Sequence, residues 1–140
     1  MKIQQIALAT LLALAGAAAQ AQVAVVVNPK NPAASLTADQ VSAIFLGKTA
    51  TLPSGATAAP VDQAEGSALR EQFYGKVTGK QAAQVKAAWS RLVFSGKGTP
   101  PKELGSSAEV KKFVAANPDA IGYIEKSALD GSVKAVLTVD

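Results

Sequence analysis

The chain contains no cysteine and no histidine, and these absences remove most of the reactive side chains on which enzymes rely. Without a thiol there is no disulfide, no thiolate nucleophile and no sulfur ligand for a metal. Without imidazole there is no Ser–His pair, no histidine ligand and no general base that titrates near neutral pH. No serine begins a Ser-x-x-Lys sequence, so the lysine-assisted serine nucleophile also lacks its signature. Glu65, Glu71, Glu103 and Glu109 stand singly at helix starts or in loops, where an acidic residue favours the helix dipole. The residues therefore argue against an enzyme and imply no cofactor.

Aromatic residues are also scarce, at 5% of the chain, and the formal net charge is only +4. A nucleic-acid surface needs a basic face with aromatics interleaved for stacking, and neither is present. Long apolar runs are missing except near the start. There, Lys2 precedes the run Ile6–Ala15, followed by Ala19-Gln20-Ala21. A basic start, a short apolar centre and an Ala-x-Ala site predict a secretory signal peptide over residues 1–21, cut before Gln22. The run is too short to span a bilayer, which takes about 20 apolar residues. The expected mature product is a non-membrane-spanning, periplasmic single domain over residues 22–140.

What is present reads as alternating strands and helices. Val23–Val27 is a β-branched run, the pattern of a central strand buried on both faces. Thr37 and Gln40 predict a capping box, the stripe Val41, Ile44 and Phe45 follows it, and Gly47 is placed to end that helix. A short strand near Ala58–Asp62 leads through Gly66-Ser67 into a helix whose core ridge is Leu69, Phe73 and Val77. Thr78 and Gln81 predict a second box, opening a helix with Val85, Ala88, Trp89, Leu92 and Val93 on its core side. Trp89 reads as a core residue with its indole N–H on a carbonyl, rather than as a ligand platform. Lys97 lies between glycines in a loop, with anion contact as the alternative to a solvated side chain.

Ser106 and Glu109 predict a third box, before the stripe Val110, Phe113 and Val114. Ala120–Ile124 reads as a buried strand in which Gly122 admits another backbone or a ligand, with Tyr123 as a pocket wall. Val133, Ala135, Leu137 and Val139 share one face of a terminal strand. The predicted order, β, α, β, α, α, α, β, β, gives an α/β domain with helices covering a small mixed sheet.

The stretch from Pro60 to Phe73 carries the candidate site. A strand, a tight turn and a helix start leave unpaired N–H groups and partial positive charge where an anion can sit. Ser67 adds a hydroxyl and Arg70 a fixed charge. The alternative is that Ser67 only caps the helix while Arg70 pairs with a carboxylate on the surface. Arg70 is read as exposed, so that its removal should barely affect stability.

Three stretches together resemble the phosphate-binding periplasmic component of bacterial phosphate importers. They are Leu36–Lys48 with Ile44-Phe45-Leu46-Gly47-Lys48, Val61–Phe73 around Gly66-Ser67, and Val110–Glu125 ending Ala120-Ile121-Gly122-Tyr123-Ile124-Glu125. The resemblance implies one lobe of a periplasmic binding protein-like (class II) fold, in a family whose members close two lobes around the ligand. In that family the turn reads Arg-x-Asp-Gly-Ser-Gly-Thr. Here Gly66-Ser67 is kept, while Gln63, Glu65, Ala68 and Leu69 stand in place of Arg, Asp, Gly and Thr. The implied ligand set is Ser67 and the amides around Gly66 and Ala68, with Glu65 at the acidic position. Arg70 is a local replacement that the family motif does not supply.

Two functions follow. One is a solute-binding module for phosphate or a similar oxyanion, related to phosphate ABC transport, with an ABC permease or another periplasmic protein as partner. The other is an accessory interaction domain that kept the lobe but lost high-affinity binding.

Overall fold

The computed structural model describes residues 22–140; the expected signal segment lies outside them. Strand β1 (Val23–Val27) is fully buried along its length. Its period-2 alternation divides the core: Val23, Val25 and Val27 face one layer and Ala24 and Val26 the other. The first layer holds α1 (Ala38–Phe45), α2 (Ala68–Phe73) and α3 (Ala82–Phe94). On the opposite face lies α4 (Ser107–Ala116), through Val110 and Val114.

The remaining strands are β2 (Ala59–Gln63), β3 (Lys102–Leu104), β4 (Ala120–Glu125) and β5 (Lys134–Val139), in the sheet order β3-β2-β4-β1-β5. β1 runs antiparallel to β4 and β5, whereas β2 runs parallel to β3 and β4. The expected mixed α/β sheet covered by helices is thus observed. Two details differ. The middle strand is β4, with β1 beside it, and β3 appears in a segment read as loop. β3 has only three half-exposed or exposed residues and forms by pairing with β2, so no periodicity announces it.

Of the three capping boxes expected from neighbouring residues, one forms as read. The Thr37–Gln40 box is complete. Ser106 caps α4 by accepting from the Glu109 amide, but the Glu109 carboxylate turns to the Gly105 N–H instead of closing the box. The Thr78–Gln81 box is not formed. α2 passes into a π-helical turn over Tyr74–Thr78, where the Thr78 hydroxyl donates to the Tyr74 carbonyl. α3 is capped three residues later, by Gln81 with Gln84. Trp89 is buried and its indole N–H donates to Phe45 O at 2.8 Å.

Along α3 the expected stripe holds except at Val93: Ala88 and Leu92 are half-buried, and Leu92 packs against the core. Val85 and Trp89 are buried, but Val93 is 46% exposed and Phe94 95%. In β5 a bulge opposite Val25/Val26 breaks the predicted alternation, so Val136 is buried and Ala135 is not.

Gly122 marks a close approach of α4 to the sheet. A Cβ there would lie 2.7 Å from Val110 Cγ1 and 2.8 Å from Val61 Cγ2. The neighbours are side chains of α4 and β2, neither a second backbone nor a ligand. Gly122→Ala should therefore overpack the α4–sheet contact and cost about 1–3 kcal/mol. Urea unfolding should show a lower midpoint; an unchanged midpoint would mean that α4 is not seated as described.

Candidate functional site

β2 ends in Asp62 and Gln63, both buried, and the chain then turns into α2. Gly66 takes φ +85°, a conformation that strains any side-chain-bearing residue. The turn closes through Ser67 N–H to Ala64 O at 3.1 Å. Ser67 is the N-cap of α2, its hydroxyl accepting from the Arg70 amide at 3.3 Å.

From that helix Arg70 folds back beneath the turn, where it is only 6% exposed. Its Nη1 donates to Gln63 O at 2.8 Å and to Glu103 Oε1 at 2.5 Å, and Nη2 lies 3.7 Å from Asp62 Oδ2. The Nε has no hydrogen-bond partner. Asp62 is held in turn: Tyr74 OH donates to Oδ2 at 2.5 Å, and Tyr123 OH and the Gln63 N–H donate to Oδ1. The Gln63 amide side chain donates to Tyr123 O and to Ser107 Oγ.

Charge and burial act against each other here. Burial alone would lower the Arg70 pKa, but the hydrogen bond to Glu103 and the charge of Asp62 outweigh it and raise it above the ordinary value. Burial, reinforced by Asp62, pushes both Tyr74 and Tyr123 well above the usual phenol range. Glu65 is held below the ordinary carboxylate value by its hydrogen bond and charge contact with Lys86 of α3.

Two depressions flank this cluster and share Glu65, Arg70 and Lys86. A shallow one of about 270 Å³ includes Gly66 and Ser67. The larger, about 560 Å³, runs along α3 past Trp89 and Val93 to Pro100 and Pro101, with Asp62 and Glu103 at its polar end. Among the described residues no cluster of acidic side chains is arranged to hold a metal.

The structure brings Glu65, Gly66, Ser67, Ala68 and Arg70 together at one turn, with Glu65, Gly66 and Ala68 exposed and Ser67 half-buried. Arg70 departs from the expectation of an exposed charge. It is buried and tied to two carboxylates, so the fold depends on it. Tyr123 does not wall an open pocket. Its ring stacks on Phe73 with centroids 4.0 Å apart, and only its hydroxyl reaches the cluster from below. Asp62, Tyr74 and Glu103 are site residues that the sequence reading left unassigned. Asp62 ending a buried strand was the one available signal, because a carboxylate there must find donors. Lys97 is exposed and takes no part.

A family model for the PBP superfamily domain matches residues 17–136. The chain belongs to this family. No curated protein matches it. Among solved structures, the PBP superfamily domain is similar to a protein from Clostridium perfringens described as a phosphate ABC transporter substrate-binding protein with bound phosphate. The identity is 28% and the TM-score 0.67, over 83% of this chain and 45% of that one. An ABC-type phosphate transport receptor from Vibrio cholerae has the same fold, at 23% identity and TM-score 0.66, over 83% and 47%. PstS from Borrelia burgdorferi does too, at 14% and 0.61, again over 83% and 47%. The chain thus spans less than half the length of each. No helix among the described residues is long and apolar enough to cross a membrane.

The raised tyrosine pKa values set a pH dependence for this PBP superfamily domain. Both phenols ionise near pH 10 when unfolded but stay protonated when folded, so the native state binds more protons above that pH. Their contribution is therefore complete below about pH 10 and lost progressively as pH rises further, the slope approaching about 3 kcal/mol per pH unit for the pair. Denaturant titrations from pH 8 to 11 should show this fall, and Tyr74→Phe/Tyr123→Phe should flatten it. An equally steep fall in the double variant would place its origin elsewhere.

Proposed function

We propose that this PBP superfamily domain is a solute-binding module for phosphate or a closely related oxyanion, acting as one lobe of a binding site in phosphate-type ABC transport. The observation that carries the reading is the 28% identity, over 83% of the chain, to a protein solved with bound phosphate. The Gly66–Ala68 turn supports it with the Ser67 hydroxyl and helix-start amides on an exposed surface, and Arg70 lies directly below. The role so proposed is binding and release, with no reaction. An ABC permease is the partner this role implies.

Arg70 meets the anion on unusual terms. Its Nη1 rests on Glu103, whose side chain is half exposed on a short edge strand, so an incoming oxyanion competes with Glu103 for the guanidinium. This same neutralisation favours the second reading, an accessory lobe that has lost high-affinity binding. Isothermal titration separates the two. The first reading expects micromolar phosphate binding, weakened in Ser67→Ala, where a charge-assisted hydrogen bond worth about 1.5–3 kcal/mol is lost. Glu103→Gln should strengthen binding by a factor on the order of ten, as the competing charge is removed at a partly solvated distance. No heat at millimolar phosphate in either wild type or Glu103→Gln would leave the accessory reading.

We further infer that the domain acts in the periplasm after export. Lys2, the apolar run Ile6–Ala15 and Ala19-Gln20-Ala21 support a cleaved signal. Mass spectrometry of the periplasmic form should find Gln22 at its N-terminus; an intact Met1 there would refute this.

A further inference from the structure

We propose that the larger cleft makes the ligand an organic oxyanion, its charged head at Arg70 and an apolar body, about the size of a phenyl ring, lying along α3. The proposal rests on the reading of Arg70 as part of an oxyanion site and extends it to the class of ligand.

Four observations lead there. A cleft of about 560 Å³ is in the range of sites for small organic ligands, of which a bare inorganic oxyanion would fill only a small part. Its wall is apolar: Val85, Trp89, Val93, Phe94, Pro100 and Pro101 line it. The last turn of α3 presents Val93 and Phe94 to solvent instead of to the core, at 46% and 95% exposure. They stand on the rim of the larger depression, which Arg70 also lines, a side chain whose buried Nε has no hydrogen-bond partner.

The charges at the polar end point the same way. Arg70 is shared with Asp62 and Glu103, while Lys86 is shared with Glu65. A small dianion therefore meets cations whose charge is already largely matched. An anion that also buries apolar surface against Trp89 and Val93 gains from a contact that this matching does not weaken. A few apolar groups placed in such a pocket commonly change affinity by about ten- to a hundredfold.

The test uses residues 22–140 as the mature chain, with Trp89 emission and isothermal titration as readouts. Phenylphosphonate, methylphosphonate, inorganic phosphate and benzyl alcohol are titrated in parallel. Phenylphosphonate should bind at least tenfold more tightly than phosphate and shift Trp89 emission, with methylphosphonate between them and benzyl alcohol silent. Phe94→Ser, at a position outside the core, should bring phenylphosphonate down toward methylphosphonate. Equal affinity for phenylphosphonate and phosphate would overturn the proposal while leaving the oxyanion site standing. Binding of phenylphosphonate alone would uphold it and remove bare phosphate as the ligand. Silence with all four would overturn both, and benzyl alcohol binding as well as phenylphosphonate would reduce the cleft to an apolar surface without an anion site.

Discussion

A guanidinium taken out of water must be matched almost completely, and the matching of Arg70 ties the sheet to the helices around it. Asp62 supplies the opposite charge from β2, Glu103 a second carboxylate from β3, and the Gln63 carbonyl a further acceptor. Asp62 in turn would be a costly buried acceptor without the Tyr74 and Tyr123 hydroxyls. Those rings are fixed in an aromatic cluster with Phe45 and Phe73, so β4, α1, α2 and the π-helical turn all converge on one carboxylate. A buried ion pair of this kind contributes little net stability compared with an apolar replacement. Its effect is geometric: every partner must be in register for the pair to be tolerated at all.

The π-helical turn fits that requirement. Tyr74 stands one turn after Arg70 with its N–H on the Arg70 carbonyl, so the phenol and the guanidinium reach Asp62 Oδ2 from one helix, and the wider turn begins only there. Such bulges commonly occur where a helix must place a side chain for a purpose other than its own packing.

This division between local and distant constraint explains what could be read in advance. The β1 run, the Thr37–Gln40 box and the burial of Trp89 depend on period and neighbours, and each was legible. β3 exists only because β2 lies beside it, and the β5 bulge only because β1 does, so neither leaves a periodic trace. The turn at Gly66-Ser67 was visible as a turn, and Ser67 as its cap. The environment of Arg70 was not, because its partners come from the preceding strand and from a segment after Pro100-Pro101 that gives no sign of strand. An arginine one turn into a helix looks like a surface charge until the carboxylates that bury it are placed.

The same matching bears on how a lobe of this kind can hold an anion. A site that meets phosphate with uncommitted positive charge gains from every contact, whereas here Arg70 and Lys86 already have carboxylate partners, and under the proposed reading a ligand would exchange for one of them. Exchange at Glu103 is feasible because that side chain is half in water and belongs to an edge strand. Asp62 cannot be exchanged, since two phenols and a backbone amide hold it. The electrostatic gain on binding is therefore the difference between ligand and Glu103 as partners for one guanidinium, and in an open cleft that difference is reduced further by water. Under the proposed reading, specificity would then come from shape and from apolar contact along α3, where Trp89 is already anchored through its indole N–H to α1. The fold fixes the guanidinium between its carboxylates, and under the proposed reading the selective surface is the exposed end of α3.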